Sequence, residues 1–191
     1  WTLRHQLGYD RLNELLRGYT QGQPFAVVSD ALPAGLVPLP CVPSVFWQAS
    51  DTDRKALKKK KWLPVQALAL PFAQWQAQAR NDADVAKHTE RAQPHNTINR
   101  QTGTTGTGQF APYAMPQIWF QKDMCFDLVV ALDVDRLSLA ELTAALDAIG
   151  TTGFGRDASI GLGKFALEGT AQMQHWPAPQ NANSFLTLGP C

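Results

Sequence analysis

The stretch from Ser138 to Lys164 limits the fold more than any other part of the chain. Ser138-Leu-Ala-Glu141 has the spacing of a capping box, in which a serine hydroxyl and a glutamate three residues on satisfy orphan amides reciprocally and start a helix. Leu139, Leu142, Ala145, Leu146 and Ile149 then recur near a 3.6-residue period, which predicts a helix with one buried face, ended by Gly150. A glycine loop follows, Gly153-Phe-Gly155-Arg-Asp-Ala-Ser-Ile-Gly161-Leu-Gly163-Lys164, and Phe165 to Met173 reads as a strand. Met124 to Val134, upstream, alternates and then runs apolar as a half-buried strand does. Strand, helix, glycine loop and strand together predict an α+β fold.

The rest of the chain adds to that unit. Residues 1 to 19 carry Leu3, Leu7, Leu12, Leu15 and Leu16 at helical spacing and predict a helix or helix pair, closed by Gly18 and Gly22. Phe25 to Asp30 is a short strand. Pro33, Gly35, Pro38, Pro40 and Pro43 predict an ordered loop or extended arm over 31 to 44, since proline fixes φ and lacks an N–H. Residues 65 to 92, rich in Ala and Gln, predict a helical or irregular stretch, and 95 to 108 a hairpin tip or mobile loop. Residues 176 to 183 read as a linker and Ser184 to Leu188 as a last strand.

Composition excludes several classes of chain. With 45% hydrophobic and 17% charged residues in 191, the protein is neither disordered nor of low complexity. Cys41, Cys125 and Cys191 are too few and too far apart for a disulfide framework or a metal knuckle, so a reducing compartment is expected. No apolar run approaches the roughly 20 residues of a membrane span, and a cytoplasmic protein with no membrane partner is expected. The formal net charge of +1 names no partner. It conceals a patch, because Arg54, Lys55, Lys58, Lys59, Lys60 and Lys61 put six of the seventeen basic residues into eight positions ahead of Trp62.

Such a run is usually a solvated face. Beside an aromatic ring it also suits single-stranded RNA, whose phosphates meet ammonium groups and whose unstacked bases meet rings. Eight of the fourteen glycines lie within 103 to 108 and 150 to 163, where backbone freedom and close approach are at a premium. The second loop has neither the spacing of a phosphate-binding P-loop nor the strand-to-helix order of a dinucleotide fingerprint. It is either a plain helix-to-strand connection or, with Arg156 and Lys164, a site for an anion, where Phe154 offers a second ring to an RNA base. Asn96, Thr97, Asn99, Arg100, Gln101 and Thr102 form a dense set of donors of the kind that position a nucleic-acid backbone. His95 reads as a hydrogen-bonded structural residue. His88 and His95 have no Cys or carboxylate at ligand spacing, so no metal site is expected. Asp133 and Asp135 read as turn formers.

Four segments taken together, Ser29-Asp-Ala-Leu-Pro33, the lysine run ahead of Trp62-Leu-Pro, His95-Asn-Thr-Ile-Asn-Arg100-Gln-Thr-Gly103, and Gly153 to Gly163, resemble one family. It is the fourth subunit of the Csm complex, in the Cas-five group of RAMP (repeat-associated mysterious) proteins of type III-A CRISPR effectors. The matching motifs spread over nearly the whole chain. The resemblance implies a ferredoxin-like, RRM-like RAMP fold that holds the repeat-derived 5′ tag of CRISPR RNA. It also implies contacts with the large polymerase-cyclase subunit and a backbone RAMP subunit, without nuclease activity, cofactor or metal. Carried over by motif, Arg100, Thr102, Gly103, Gly155, Arg156, Gly161 and Gly163 are the RNA-site candidates. Lys58, Lys59, Lys60, Lys61, His95, Asn96, Asn99, Phe154 and Lys164 join them from the residue reading. Because the chain opens in its first helix, the expected first strand would lie before Trp1. Residues 1–176 then form one RAMP domain incomplete at both ends, and 177–191 a linker and the start of a second half. Two other classes fit the residues: a metal-independent RAMP-fold ribonuclease with His95 as base and Tyr113 or Lys164 as helper, and a protein-binding scaffold docking through residues 31 to 44.

Overall fold

The computed structural model describes residues 2–47, 54–85, 87–176 and 183–189. Its elements in chain order are α1 (Thr2–Leu7), α2 (Tyr9–Leu15), β1 (Ala26–Pro33), β2 (Leu36–Pro38), α3 (Arg54–Lys59), β3 (Lys60–Pro64), α4 (Trp75–Gln78), β4 (Arg80–Asn81), α5 (Asp82–Val85), β5 (His88–His95), β6 (Tyr113–Phe120), β7 (Phe126–Leu132) and α6 (Leu139–Thr152). The protein is mixed α+β, with small sheets ordered β1-β7, β2-β3-β4 and β5-β6. The chain divides into two compact units, Trp1–Asp30 with Leu128–Cys191, and Ala31–Asp127. Residues 177 to 182 of the linker expected over 176 to 183 lie outside the described residues.

The first unit is built on a small leucine-rich core. Leu15, Phe25 and Leu137 are buried, and Leu3, Leu7, Ala26, Leu132 and Leu142 pack against them. Leu3, Leu7, Leu15 and Leu142 are positions that the helical periods put on one face, whereas Leu16 and Leu139 of the same periods are exposed; each fully buried leucine contributes about 1.5–3 kcal/mol. The helix pair at the N-terminus forms as expected, interrupted at Gly8, whose φ of 81° breaks the helical path. The predicted capping box is present at α6, with Ser138 Oγ accepting from Glu141 N at 3.2 Å and Ser138 N donating to Glu141 Oε2 at 2.9 Å. The Ser138 hydroxyl, which donates to Glu141 Oε2 at 2.7 Å, and after it the Ser138 N–H hold the Glu141 carboxyl below its ordinary pKa. Asp133 forms the expected turn, its Oδ1 accepting from Asp135 N at 3.2 Å.

The helix does not end at Gly150. It runs to Thr152 and stops at Gly153, whose φ of 103° leaves the helical region. Gly150 has a different reason to be glycine: a Cβ there would stand 2.4 Å from the Phe165 carbonyl oxygen. The strand expected over Phe165 to Met173 is also absent, because no neighbouring strand pairs with residues 164–173. The alternating pattern is there, but a strand needs a ladder as well as a pattern. Residues 184–188 likewise form no strand, although the Leu188 carbonyl accepts from Asp30 N at 2.9 Å.

In the second unit, the region expected as an arm over 31–44 is folded into the sheet as far as Pro38. The end of β1 turns at Gly35, φ 73°, into β2, which pairs antiparallel with β3 from Leu36 opposite Pro64 to Pro38 opposite Trp62. Pro33 and Pro38 stand at strand ends, where a missing N–H breaks no ladder. The Asp127 carboxylate holds the turn, accepting from Gly35 N at 2.7 Å. Residues 65 to 85 are short turns and helices apart from β4, but 88 to 92, expected to be helical or irregular, are strand, because β6 pairs with them. Leu32, Leu36, Val37, Trp47, Leu63, Ala67 and Ala79 are buried. Trp47, Phe72 and Trp75 form an aromatic cluster, Phe72 stacked on Trp47 and edge-on to Trp75, with ring centroids 4.9 and 5.0 Å apart. The last element of the unit is a long ribbon, β5 against β6, paired in one unbroken register from His88 opposite Phe120 to His95 opposite Tyr113.

Candidate nucleic-acid interface

The candidate residues fall on both units. Lys58 to Lys61 and His95 to Gly103 belong to the second, and Phe154 to Lys164 to the first.

The lysine run spans the end of α3 and the start of β3, and its four ammonium groups are not equivalent. Lys60 Nζ donates to the carbonyls of Gln76 at 3.0 Å and Ala77 at 3.2 Å, capping the C-terminal turn of α4 where cations are favoured. Lys61 pairs with Asp82 at 3.8 Å. Lys58 and Lys59 are exposed in the last turn of α3. Trp62 is half-buried and its indole N–H donates to Asp82 Oδ1 at 2.7 Å, which ties the ring to α5. Charge spacing does not reveal this division of labour, because it depends on which side chain meets a helix end.

The hairpin tip between β5 and β6 is the most open candidate. Asn99 and Thr104 form an isolated bridge, Asn99 O accepts from Gly103 N at 2.8 Å, and Asn99 Oδ1 accepts from Gln101 N at 2.9 Å. Asn99 therefore builds the turn, and Gly103, φ 66°, closes it. Thr102 and Thr104 share a hydroxyl hydrogen bond of 3.0 Å. The turn leaves Arg100 exposed on the rim of an open hollow of about 490 Å³, lined also by Ile98, Asn99, Gln101, Gln109 and Phe110. Asn96 is exposed. His95 lies at the root of the tip, its ring stacked on Tyr113 at 5.5 Å and 17°, with Nε2 buried and unpartnered among the described residues. From Arg91 to Lys122 the sequence has no acidic residue, so the tip itself carries no carboxylate.

The glycine loop closes on itself. Phe154 N donates to Gly163 O at 2.9 Å and Phe165 N to Gly150 O at 3.2 Å. A Cβ on Gly163 would stand 2.0 Å from Phe154 O, and one on Gly153 would stand 2.3 Å from Leu162 O. Those two glycines let the strands of the loop touch. Gly155 and Gly161, φ 99° and 90°, have open space where a Cβ would be. Phe154, 75% exposed, stands beside them. Arg156 forms an ion pair with Asp157, Nε to Oδ1 at 3.2 Å, so a phosphate would have to compete with that carboxylate. Lys164 is exposed.

The ribbon below the tip holds residues that periodicity and motif spacing do not single out. Arg91 lies over the Trp119 ring at 5.8 Å, Trp119 Nε1 donates to Gln117 Oε1 at 3.1 Å, and Gln117 Nε2 donates to Gln93 Oε1. The acid-free run is the signal in the sequence that points to this region. Among the described residues, no helix is long and apolar enough to cross a membrane, and no three His, Cys, Asp or Glu side chains gather as a metal site requires. No protein-family model matches the chain, and no curated protein matches it.

Proposed function

We propose that the chain is a non-catalytic RNA-binding subunit of a type III-A CRISPR effector complex that holds the 5′ repeat-derived tag of CRISPR RNA. Its partners in this reading are the large polymerase-cyclase subunit and a backbone RAMP subunit, in the cytoplasm. The observation that carries the reading is the hairpin tip: an acid-free turn that presents Arg100 and amide donors over an open hollow. The open glycines at 155 and 161 with exposed Phe154 add a second surface to which a phosphate backbone can come close. The motif resemblance supports a ferredoxin-like assignment, and the mixed order of helix pair, β1, β7 and α6 is compatible with it. Stacking on Tyr113 with a buried Nε2 favours a packing role for His95 over that of a base.

Affinity in this reading is set largely by backbone charge, and so falls steeply with salt. Arg100→Ala should weaken binding of a repeat-tag RNA by about 1–3 kcal/mol, the range for a lost charge-assisted contact. Arg156→Ala should cost less, since Asp157 already engages that guanidinium. Fluorescence titration at several salt concentrations measures both. An Arg100→Ala, Arg156→Ala double variant that binds as the parent protein does would overturn the reading.

A further inference from the structure

The β5–β6 ribbon carries two different faces, because successive side chains of a strand point to opposite sides. One face bears Ile118 and Phe120 with Glu90, the only acidic residue of the ladder, and Phe120 packs edge-on against Phe126 at 4.8 Å. The other bears Arg91, Gln93 and His95 opposite Gln117, Met115 and Tyr113, with Trp119 at its end. This second face has rings and donors but no carboxylate. Trp119 and Tyr113 are each 50% exposed. They are held in place by the protein: Trp119 by Arg91 on its ring and Gln117 on its indole N–H, Tyr113 by the parallel ring of His95. Six residues of strand set them about 20 Å apart.

We propose that this face is a stacking platform for unpaired bases of single-stranded RNA, with Trp119 and Tyr113 as the base-contacting rings and Arg91 as a phosphate contact between them. The inference rests on the RNA-binding reading and adds to it a base-stacking surface continuous with the Arg100 tip. Rings alone would suit a protein partner equally well. Charge decides for RNA, because the face and the whole run from Arg91 to Lys122 offer an anion cations and amide donors with no competing carboxylate. Rings immobilised before binding lose little freedom when a base stacks on them.

The 191-residue chain is titrated with a fluorescein-labelled 12-nucleotide oligoadenylate, and with the same strand annealed to its complement. Trp119→Leu and Tyr113→Leu should each weaken single-strand binding on the order of tenfold, from the loss of one stacked base. Trp119→Phe, which keeps a ring, should stay within about threefold of the parent. Neither leucine variant should alter the slope of affinity against salt, whereas Arg91→Ala should make it shallower by about 0.7, one phosphate's share. The duplex should bind more weakly than the single strand. A 2-aminopurine at the centre of the oligoadenylate, quenched in the bound state by stacking, should regain fluorescence in the Trp119→Leu complex. If both leucine variants bind like the parent while Arg100→Ala does not, the platform is wrong and RNA binding at the tip stands; the face is then left to a protein partner. If the parent chain binds neither this oligonucleotide nor repeat-tag RNA, the RNA-binding reading falls and the platform with it.

Discussion

Gly163→Ala should destabilise the protein by about 2–4 kcal/mol, the sum of strain at a positive φ and a steric conflict that the backbone must relieve. The conflict is with backbone, not with a flexible side chain: the new methyl would sit 2.0 Å from the Phe154 carbonyl oxygen, at a residue with φ of 68°. Relieving it means opening the Phe154 to Gly163 contact that closes the loop. Gly155→Ala provides the contrast. It meets no atom within 4 Å, so only its φ of 99° counts against it, and about 1–2 kcal/mol is expected. Urea denaturation of the two variants distinguishes a loop built by close approach from one that is merely flexible. Equal losses in both would show that the contact at Gly163 contributes nothing.

Arg136→Ala should have an effect of similar size for an electrostatic reason. The Arg136 guanidinium donates to three backbone carbonyls of the segment that ends α2: to Gln23 O at 2.8 Å, to Arg17 O at 2.6 Å, and to Leu15 O. Arg11 in turn donates to the carbonyl of Arg136 at 2.6 Å, which ties the helix pair to the turn before α6. Leu15 is one of the fully buried residues of that unit, so its carbonyl has little access to water. Removing the fork should cost about 2–4 kcal/mol, because charge-assisted donors are lost and partly buried carbonyls are left unpaired. Arg136→Lys should recover less than half of that, since one ammonium cannot reproduce a planar fork. Thermal unfolding at fixed pH measures all three proteins, and full recovery in the lysine variant would argue against the geometry.

The parts of this fold that were legible in the sequence are those fixed by local rules. The Ser138–Glu141 cap, the leucine periods of the N-terminal helices and the apolar run of β7 each depend on neighbours within a few residues, and each occurs at the predicted place. Gly150 misleads because glycine serves both to end helices and to permit close approach, and only the position of Phe165 tells which. Residues 165–173 mislead because alternation reports a side-chain pattern while strand formation depends on a distant partner. The prolines of 31–44 hid β2 because a strand tolerates proline at its ends. In the candidate site, the Asn99–Gly103 turn was readable from turn-forming residues. The capping of α4 by Lys60 and the tie between Trp62 and Asp82 were not, because both join residues 16 to 20 positions apart. The stacking of Trp47 on Phe72 escaped for the same reason.

The most direct test of the functional account is the sequence of the RNA that stays with the protein. The chain would be expressed with a transcript of CRISPR repeats and spacers, purified at low salt, and its bound RNA sequenced from the 5′ end. The retained RNA should carry the repeat-derived tag at its 5′ ends, and it should be depleted when Arg100→Ala is purified in the same way. Bound RNA with no enrichment of repeat-derived 5′ ends, or none retained at all, would contradict the functional account.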